Sequence, residues 1–223
     1  MYIREIMTTN VVSIPSSTSI TDAKRIMQAH KIERLPVVDK GKLVGIVTVR
    51  TLEQVSPSKA TSLTVWELTY LLDKTTVKEI MEKNVITTTP DMTAEEALAT
   101  AQGNKVGSLV VLEDSRVVGI VTTTDFFYRI VNPILGLGTG GALLPGSRIK
   151  VFGGGEGKAI EEIVSTVNKL GIKIGNLHIF TPEDATKKDI ILHLECEDQD
   201  KLVTELVTEL KNKGYSASAR KRC

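Results

Sequence analysis

The sequence predicts an α/β (α+β) protein with two β-α-β-β-α repeats followed by a ferredoxin-like β-α-β-β-α-β unit, and three observations predict it. First, residues 3–52 recur at 77–126 with a constant offset of 74 positions. Ile6-Met7 returns as Ile80-Met81, Ala23 as Ala97, Leu35 as Leu109, and Gly45-Ile46-Val47-Thr48 as Gly119-Ile120-Val121-Thr122. A repeated block of this size cannot bury its apolar face alone, so the copies should pack together and leave a symmetric cleft between them. Second, the texture changes after Asn132-Pro133, where 136–146 is rich in glycine and reads as a linker. Third, a new alternation of strand-like and helix-like segments starts at Ser147.

Each repeat opens with a short extended piece, Val11–Ile14 or Val85–Thr88, that runs to Pro15 or Pro90. A helix follows, capped by Ser19 with Asp22 in one copy and by the Thr93/Glu96 capping-box pair in the other. Ile20, Ala23, Ile26 and Met27 fall at helical spacing, as do Ala94, Ala97, Leu98 and Ala101, so one face of each helix should be buried. Two strands come next, Leu35–Val38 with Leu43–Val47 and Leu109–Leu112 with Val117–Val121, joined by Lys40-Gly41 and Asp114-Ser115 as hairpin turns. A last helix opens after Thr48 and after Thr122. Between the repeats, Ser56-Pro57-Ser58 ends the preceding helix, and Val65, Leu68, Leu71 and Leu72 form an apolar stripe around Trp66. This stripe reads as a linking helix that either covers the module's own core or makes a dimer contact.

The domain boundaries follow: 1–74 for the first repeat with its linking helix, 75–132 for the second, 133–146 for the linker and 147–220 for the last unit. In that unit the expected order is strand Ser147–Phe152, helix Ala159–Leu170, strands Lys173–Phe180 and Asp189–Cys196, helix Gln199–Lys213 and strand Tyr215–Ala219. Gly171 and Gly214 stand where helices should end.

Bulk composition excludes several classes. Lys plus Arg (28) nearly cancels Asp plus Glu (27), which speaks against a nucleic-acid binder driven by net charge. No apolar run reaches the roughly 18 residues of a membrane span, and the N-terminus lacks the apolar core of a signal peptide. Cys196 and Cys223 have no metal-ligand spacing, so a cytoplasmic, disulfide-free protein without a metal site is expected. His30, His178 and His193 are scattered, and no nucleophile–base motif stands out. No catalytic residue is assigned. The terminal Arg220-Lys221-Arg222 run reads as a solvated tail.

Ile6-Met7-Thr8, Leu35-Pro36-Val37-Val38-Asp39 and Gly45-Ile46-Val47-Thr48, with Ile80-Met81, Leu109-Val110-Val111 and Gly119 to Asp125, carry a resemblance to the tandem cystathionine-β-synthase (CBS) domain pair, the Bateman module. It covers residues 1–131. The last unit resembles an ACT domain, and the combined layout is similar to the acetoin-utilisation protein B group of regulators. In the CBS family a Thr-x-x-Asp stretch holds an adenine nucleotide. The resemblance implies that Thr122, Thr124 and Asp125 bind it, completed by Ser13, Ile14, Pro15, Ile32, Glu33 and Arg34 of the other repeat. Ile32 would pack the base, and Arg34 could reach phosphate. The chemistry suits this, because a carboxylate can accept both ribose hydroxyls. The alternative makes Asp125 only a helix cap and Arg34 a solvated charge.

The companion cleft would use Thr48, Arg50, Thr51, Thr88, Thr89, Val106, Gly107 and Ser108. It carries Thr51 where the pattern has Asp, so a weaker or empty site is expected there. Gly136 to Gly141 matches G-x-G-x-x-G but lacks a strand–loop–helix context, and Pro145 follows closely. Gly153 to Lys158 looks like a phosphate loop but lacks its first glycine and final hydroxyl residue. In an ACT domain that loop holds an amino acid, so Gly155 and Gly157 are either ligand-facing or turn residues. The expected function is a regulatory sensor of an adenosine-containing ligand (AMP, ADP or ATP), with no required cofactor and a homodimeric assembly. The alternatives are a DNA-binding or enzyme-associated regulator that binds S-adenosylmethionine, or an enzyme.

Overall fold

The computed structural model describes residues 1–55, 67, 73–183, 186–195 and 200–222. The apolar stripe around Trp66, both cysteines and the start expected for the last helix at Gln199 lie outside the described residues. The chain divides into two compact units, Met1–Phe126 and Phe127–Cys223.

In the first repeat α1 (Ile3–Ile6) precedes α2 (Ile20–His30), β1 (Arg34–Asp39), β2 (Lys42–Thr48) and α3 (Val49–Gln54). In the second, α4 (Val77–Ile80) precedes β3 (Thr87–Thr88), α5 (Ala94–Gly103), β4 (Ser108–Glu113), β5 (Arg116–Thr122) and α6 (Thr123–Phe126). The caps are those the sequence predicts. Asp22 N donates to Ser19 Oγ at 3.1 Å, and the Thr93/Glu96 pair forms a reciprocal box. The strand pairs are antiparallel hairpins. Their turns put Lys40 (φ 50°), Gly41 (78°), Asp114 (47°) and Ser115 (64°) in the left-handed region, which suits the twist of the flanking strands. The extended pieces lie parallel on these hairpins, through the Ile14–Val37 bridge and the pairs Thr87–Val110 and Thr88–Val111.

The leading helix of each repeat serves the other copy. Ile3 N donates to Met92 O and Arg4 N to Pro90 O, while Val77 N donates to Thr18 O and Lys78 N to Ser16 O. Val77 is fully buried in the cluster that contains Ile14, Ile20, Ala23, Leu35 and Val47. The second residue after each leading helix then docks on the opposite hairpin: Thr8 bridges Ile120, and Glu82 bridges Ile46. A Cβ at Gly119 would lie 2.5 Å from Met7 Sδ, and one at Gly45 would lie 2.5 Å from Met81 Sδ. The repeated Ile-Met and Gly-Ile-Val-Thr motifs are therefore the two halves of one contact, made twice.

In the second unit a π-helical turn (Phe127–Val131) leads to α7 (Asn132–Leu135), which ends at Gly136 with φ 66°. The glycine-rich stretch folds back on itself through a Leu137–Leu143 bridge. Then come β6 (Gly146–Phe152), α8 (Gly157–Lys169), β7 (Lys173–Phe180), β8 (Asp189–Glu195), α9 (Asp200–Asn212) and β9 (Ser216–Arg222). The antiparallel sheet has the order β7-β8-β6-β9, which is the ferredoxin-like arrangement. Ile149, Val151, Ile190, Leu192 and Leu194 face Ile163, Val167, Leu206 and Leu210 of α8 and α9 in one core. Gly171 and Gly214 have φ 68° and 89°, as expected after helices. Glu162 on α8 accepts from Lys213 Nζ and Tyr215 Oη, both at 2.8 Å, and so ties the start of β9 to the helix. The Arg220-Lys221-Arg222 run is not a free tail: it continues β9 and pairs with Arg148, Ser147 and Gly146. Ladder bonds along an open edge outweigh the weak strand preference of charged residues.

Candidate functional site

Each repeat builds its candidate site where the second hairpin strand turns into a short helix. In the second repeat Thr122 and Asp125 hold each other. Asp125 N donates to Thr122 Oγ1 (3.3 Å), and Asp125 Oδ2 accepts from Thr122 N (2.8 Å) and Thr122 Oγ1 (2.7 Å). Thr122 is therefore the cap residue and Asp125 the third residue of α6, bonded reciprocally as in a capping box, so the reading of Asp125 as the N-cap itself is corrected by three positions. All three bonds use Oδ2 or the backbone, and no hydrogen bond to the second carboxylate oxygen occurs among the described residues. Asp125 is half-buried, next to the buried Phe126, and Thr124 is exposed.

In the first repeat Thr51 replaces the aspartate. Its N–H donates to Thr48 Oγ1 at 3.1 Å, and the two hydroxyls lie 2.8 Å apart. The cap survives, but the charge is gone. Arg50 beside it is exposed.

The segments that precede β1 and β4 lock onto these turns. Val49 N donates to Glu33 O (3.0 Å), and Thr123 N donates to Gly107 O (3.1 Å). Residues one step further on are strand partners, Arg34 with Thr48 and Ser108 with Thr122. Arg34 then crosses to the other repeat, where its Nη2 would lie 3.0 Å from a Cβ built on Gly107. Its guanidinium also makes an ion pair at 3.5 Å with Glu33, whose side chain is 76% exposed.

The remaining sequence candidates divide by burial. Ser13 and Pro15 are exposed around Ile14, which is 4% exposed and belongs to the first repeat's core. Only the backbone of Ile14 could face a ligand, and its N–H already donates to Pro36 O. Thr88 is likewise buried, with Oγ1 donating to Met92 Sδ, while Thr89 is exposed. Ile32, Val106, Gly107 and Ser108 are half-buried. The reach of Arg34 over Gly107 is a contact that sequence reasoning missed. Its signal was the pairing of a bulky residue in one repeat with a glycine one register position away in the other.

In the second unit Gly155 is needed by packing. A Cβ there would lie 2.6 Å from Lys188 Cβ and 2.8 Å from Ile179 Cγ2, and its N–H donates to Lys188 O. Gly157 opens α8 with no atom within 4 Å of a Cβ position. No group of three or more His, Cys, Asp or Glu that could hold a metal occurs among the described residues. None of the described helices is long and apolar enough to cross a membrane.

The CBS domain family matches residues 3–56 and 77–132, the two blocks that build these turns. The chain is a tandem CBS-domain protein. Its CBS pair is similar to a crystal structure of a putative acetoin utilization protein from Vibrio cholerae, with 28% identity, a TM-score of 0.50 and coverage of 61% of this chain and 94% of that one. It is also similar to the CBS domain pair of protein MJ0100, solved in complex with 5′-methylthioadenosine and S-adenosyl-L-methionine. That match has 30% identity, a TM-score of 0.47 and coverage of 56% and 92%. Among curated proteins, an inosine-5′-monophosphate dehydrogenase from Korarchaeum cryptofilum is 32% identical over 184 residues, which is 81% of this chain and 34% of that enzyme. The matched stretch thus spans only about a third of that relative's length, and 23% of the next one.

Proposed function

We propose that the CBS pair is a regulatory sensor that binds an adenosine-containing nucleotide, of the AMP, ADP or ATP kind, in the cleft at Thr122–Asp125. One observation carries this reading: the Asp125 carboxylate is oriented by Thr122 through a single oxygen, and Arg34 from the other repeat reaches the adjoining Gly107. An anion that can accept from ribose hydroxyls and a cation suited to phosphate then stand on neighbouring segments. Thr48, Arg50 and Thr51 form a second, weaker site. The ligand acts as a signal, and no cofactor is needed for the reading. The βαββαβ unit is taken as ACT-like, with Gly157 at the open end of the loop where an amino acid would sit. Gly155 is committed to internal packing and is dropped from that role. A homodimer in the cytoplasm completes the proposal, and light scattering that gave only monomer at micromolar concentration would remove the dimer.

Calorimetry on the purified chain with AMP, ADP, ATP, S-adenosylmethionine and methylthioadenosine tests the main reading. Saturable binding of at least one phosphate-bearing member is the expected result. Heat from none of the five, with the protein folded, would end it.

A further inference from the structure

We infer that Arg34 is one cation shared by both clefts, so that two phosphate-bearing ligands in the CBS pair hinder each other. This rests on the reading of the clefts as adenosine-nucleotide sites and adds to it how they communicate. The geometry is asymmetric. The backbone of Arg34 is the strand partner of Thr48, the cap residue of the first repeat's cleft. Its guanidinium lies instead over Gly107, whose carbonyl accepts from Thr123 N beside the cap residue Thr122 of the other cleft. A single side chain therefore spans the two turns.

The repeat offset makes Ser108 the counterpart of Arg34 and Gly107 that of Glu33. No guanidinium returns from the second repeat, and the glycine provides the space that the first repeat's arginine fills. The Arg34 side chain is 26% exposed, and its ion-pair partner Glu33 is mostly in solvent and 3.5 Å away. An exposed pair of this kind binds weakly, so a phosphate can take the guanidinium over. The first phosphate to do so leaves the second cleft without that counter-charge and adds a like charge nearby. A ligand that lacks phosphate would not feel this.

The test compares AMP with adenosine on the full chain by calorimetry, with the ratio of second to first dissociation constants as the readout. In wild type the ratio should be about tenfold larger for AMP than for adenosine, the size of one lost charge-assisted contact. The Arg34→Gln variant should make the two ratios equal, while Arg34→Lys, which keeps the charge, should retain most of the difference. Equal ratios in wild type would overturn the proposal, as would a difference that persists in Arg34→Gln. If neither AMP nor adenosine binds, this proposal is overturned, and the underlying reading of the clefts falls with it only when ADP, ATP, S-adenosylmethionine and methylthioadenosine give no heat either. Adenosine binding with no phosphate-dependent difference would instead leave that reading standing and defeat only the shared cation.

Discussion

Asp125 and Thr51 occupy equivalent positions 74 residues apart and differ by one charge. Both bond the threonine three residues earlier, Thr48 or Thr122, that caps a short helix. Hydrogen bonds to a charged group contribute about 1.5–3 kcal/mol against about 1 for neutral ones, so each ribose contact at Asp125 is worth roughly tenfold in affinity. Asp125→Ala should therefore weaken the tighter adenosine site by at least tenfold. Its cost in fold stability should be only about 1 kcal/mol, the scale of a helix cap. Thr51→Asp should strengthen the second site. Titration calorimetry with a melting curve for each variant checks both, and an Asp125→Ala protein that binds as well as wild type would refute the assignment.

At the scale of elements, the two Gly–Met contacts fasten each leading helix to the other repeat's hairpin. Gly45→Ala places a methyl group 2.5 Å from Met81 Sδ and 3.1 Å from Glu82 O. Overpacking of this kind costs about 1–3 kcal/mol. Met81→Ala in the same chain should recover part of that loss, because the clash and the methionine are one interaction. Denaturant unfolding of the single and double variants reads the coupling, and strict additivity would show that the contact is not where the strain falls.

The β-sheet of the second unit has its own acid sensitivity. The Asp189 carboxyl, 4% exposed, is held below its usual range by the Lys150 ammonium 2.8 Å away and by the Gly153 N–H, against the opposing effect of burial. The His178 imidazole, stacked on His193 at 5.5 Å, is also pushed down, first by burial and then by Arg148. In both cases the unfolded chain binds the proton more readily, so stability rises with pH. The His178 contribution is complete above about pH 6.5 and fades as pH falls below that. The Asp189 contribution is complete above about pH 3.9 and fades as pH falls through the lower folded value. Thermal melting from pH 7 down to 3 should show both losses. His178→Gln should flatten the first, and Asp189→Asn should remove the second while lowering stability at pH 7, since Lys150 loses its partner. A melting temperature that stays level between pH 7 and pH 5 in wild type would count against the histidine part.

For the whole molecule, the site residues all fall in Met1–Phe126, apart from the ACT-like loop. AMP at a hundred times its dissociation constant should stabilise that unit by about 2.7 kcal/mol. Hydrogen exchange should show the added protection at 32–34, 106–108 and 122–126. Protection spread evenly over 147–222 would place the ligand elsewhere.

The sequence by itself determined the repeat, the hairpins, the caps and the βαββαβ order. All of these rest on local rules: turn residues with positive φ, hydroxyl caps with an acidic residue three positions on, and apolar spacing of period two or 3.6. It also determined the charge difference between Asp125 and Thr51, because an offset of 74 aligns them directly. Tertiary structure decided the rest. The burial of Ile14 and Thr88 depends on which side of a short parallel strand meets the core, and two or three residues show no usable period. That Ile3 and Val77 serve the opposite repeat, that the motif glycines receive the motif methionines, and that Arg34 crosses to Gly107 are all long-range contacts. Each joins positions at least 36 residues apart, from Gly45–Met81 up to 112 for Met7–Gly119, and no local pattern carries the distance between them.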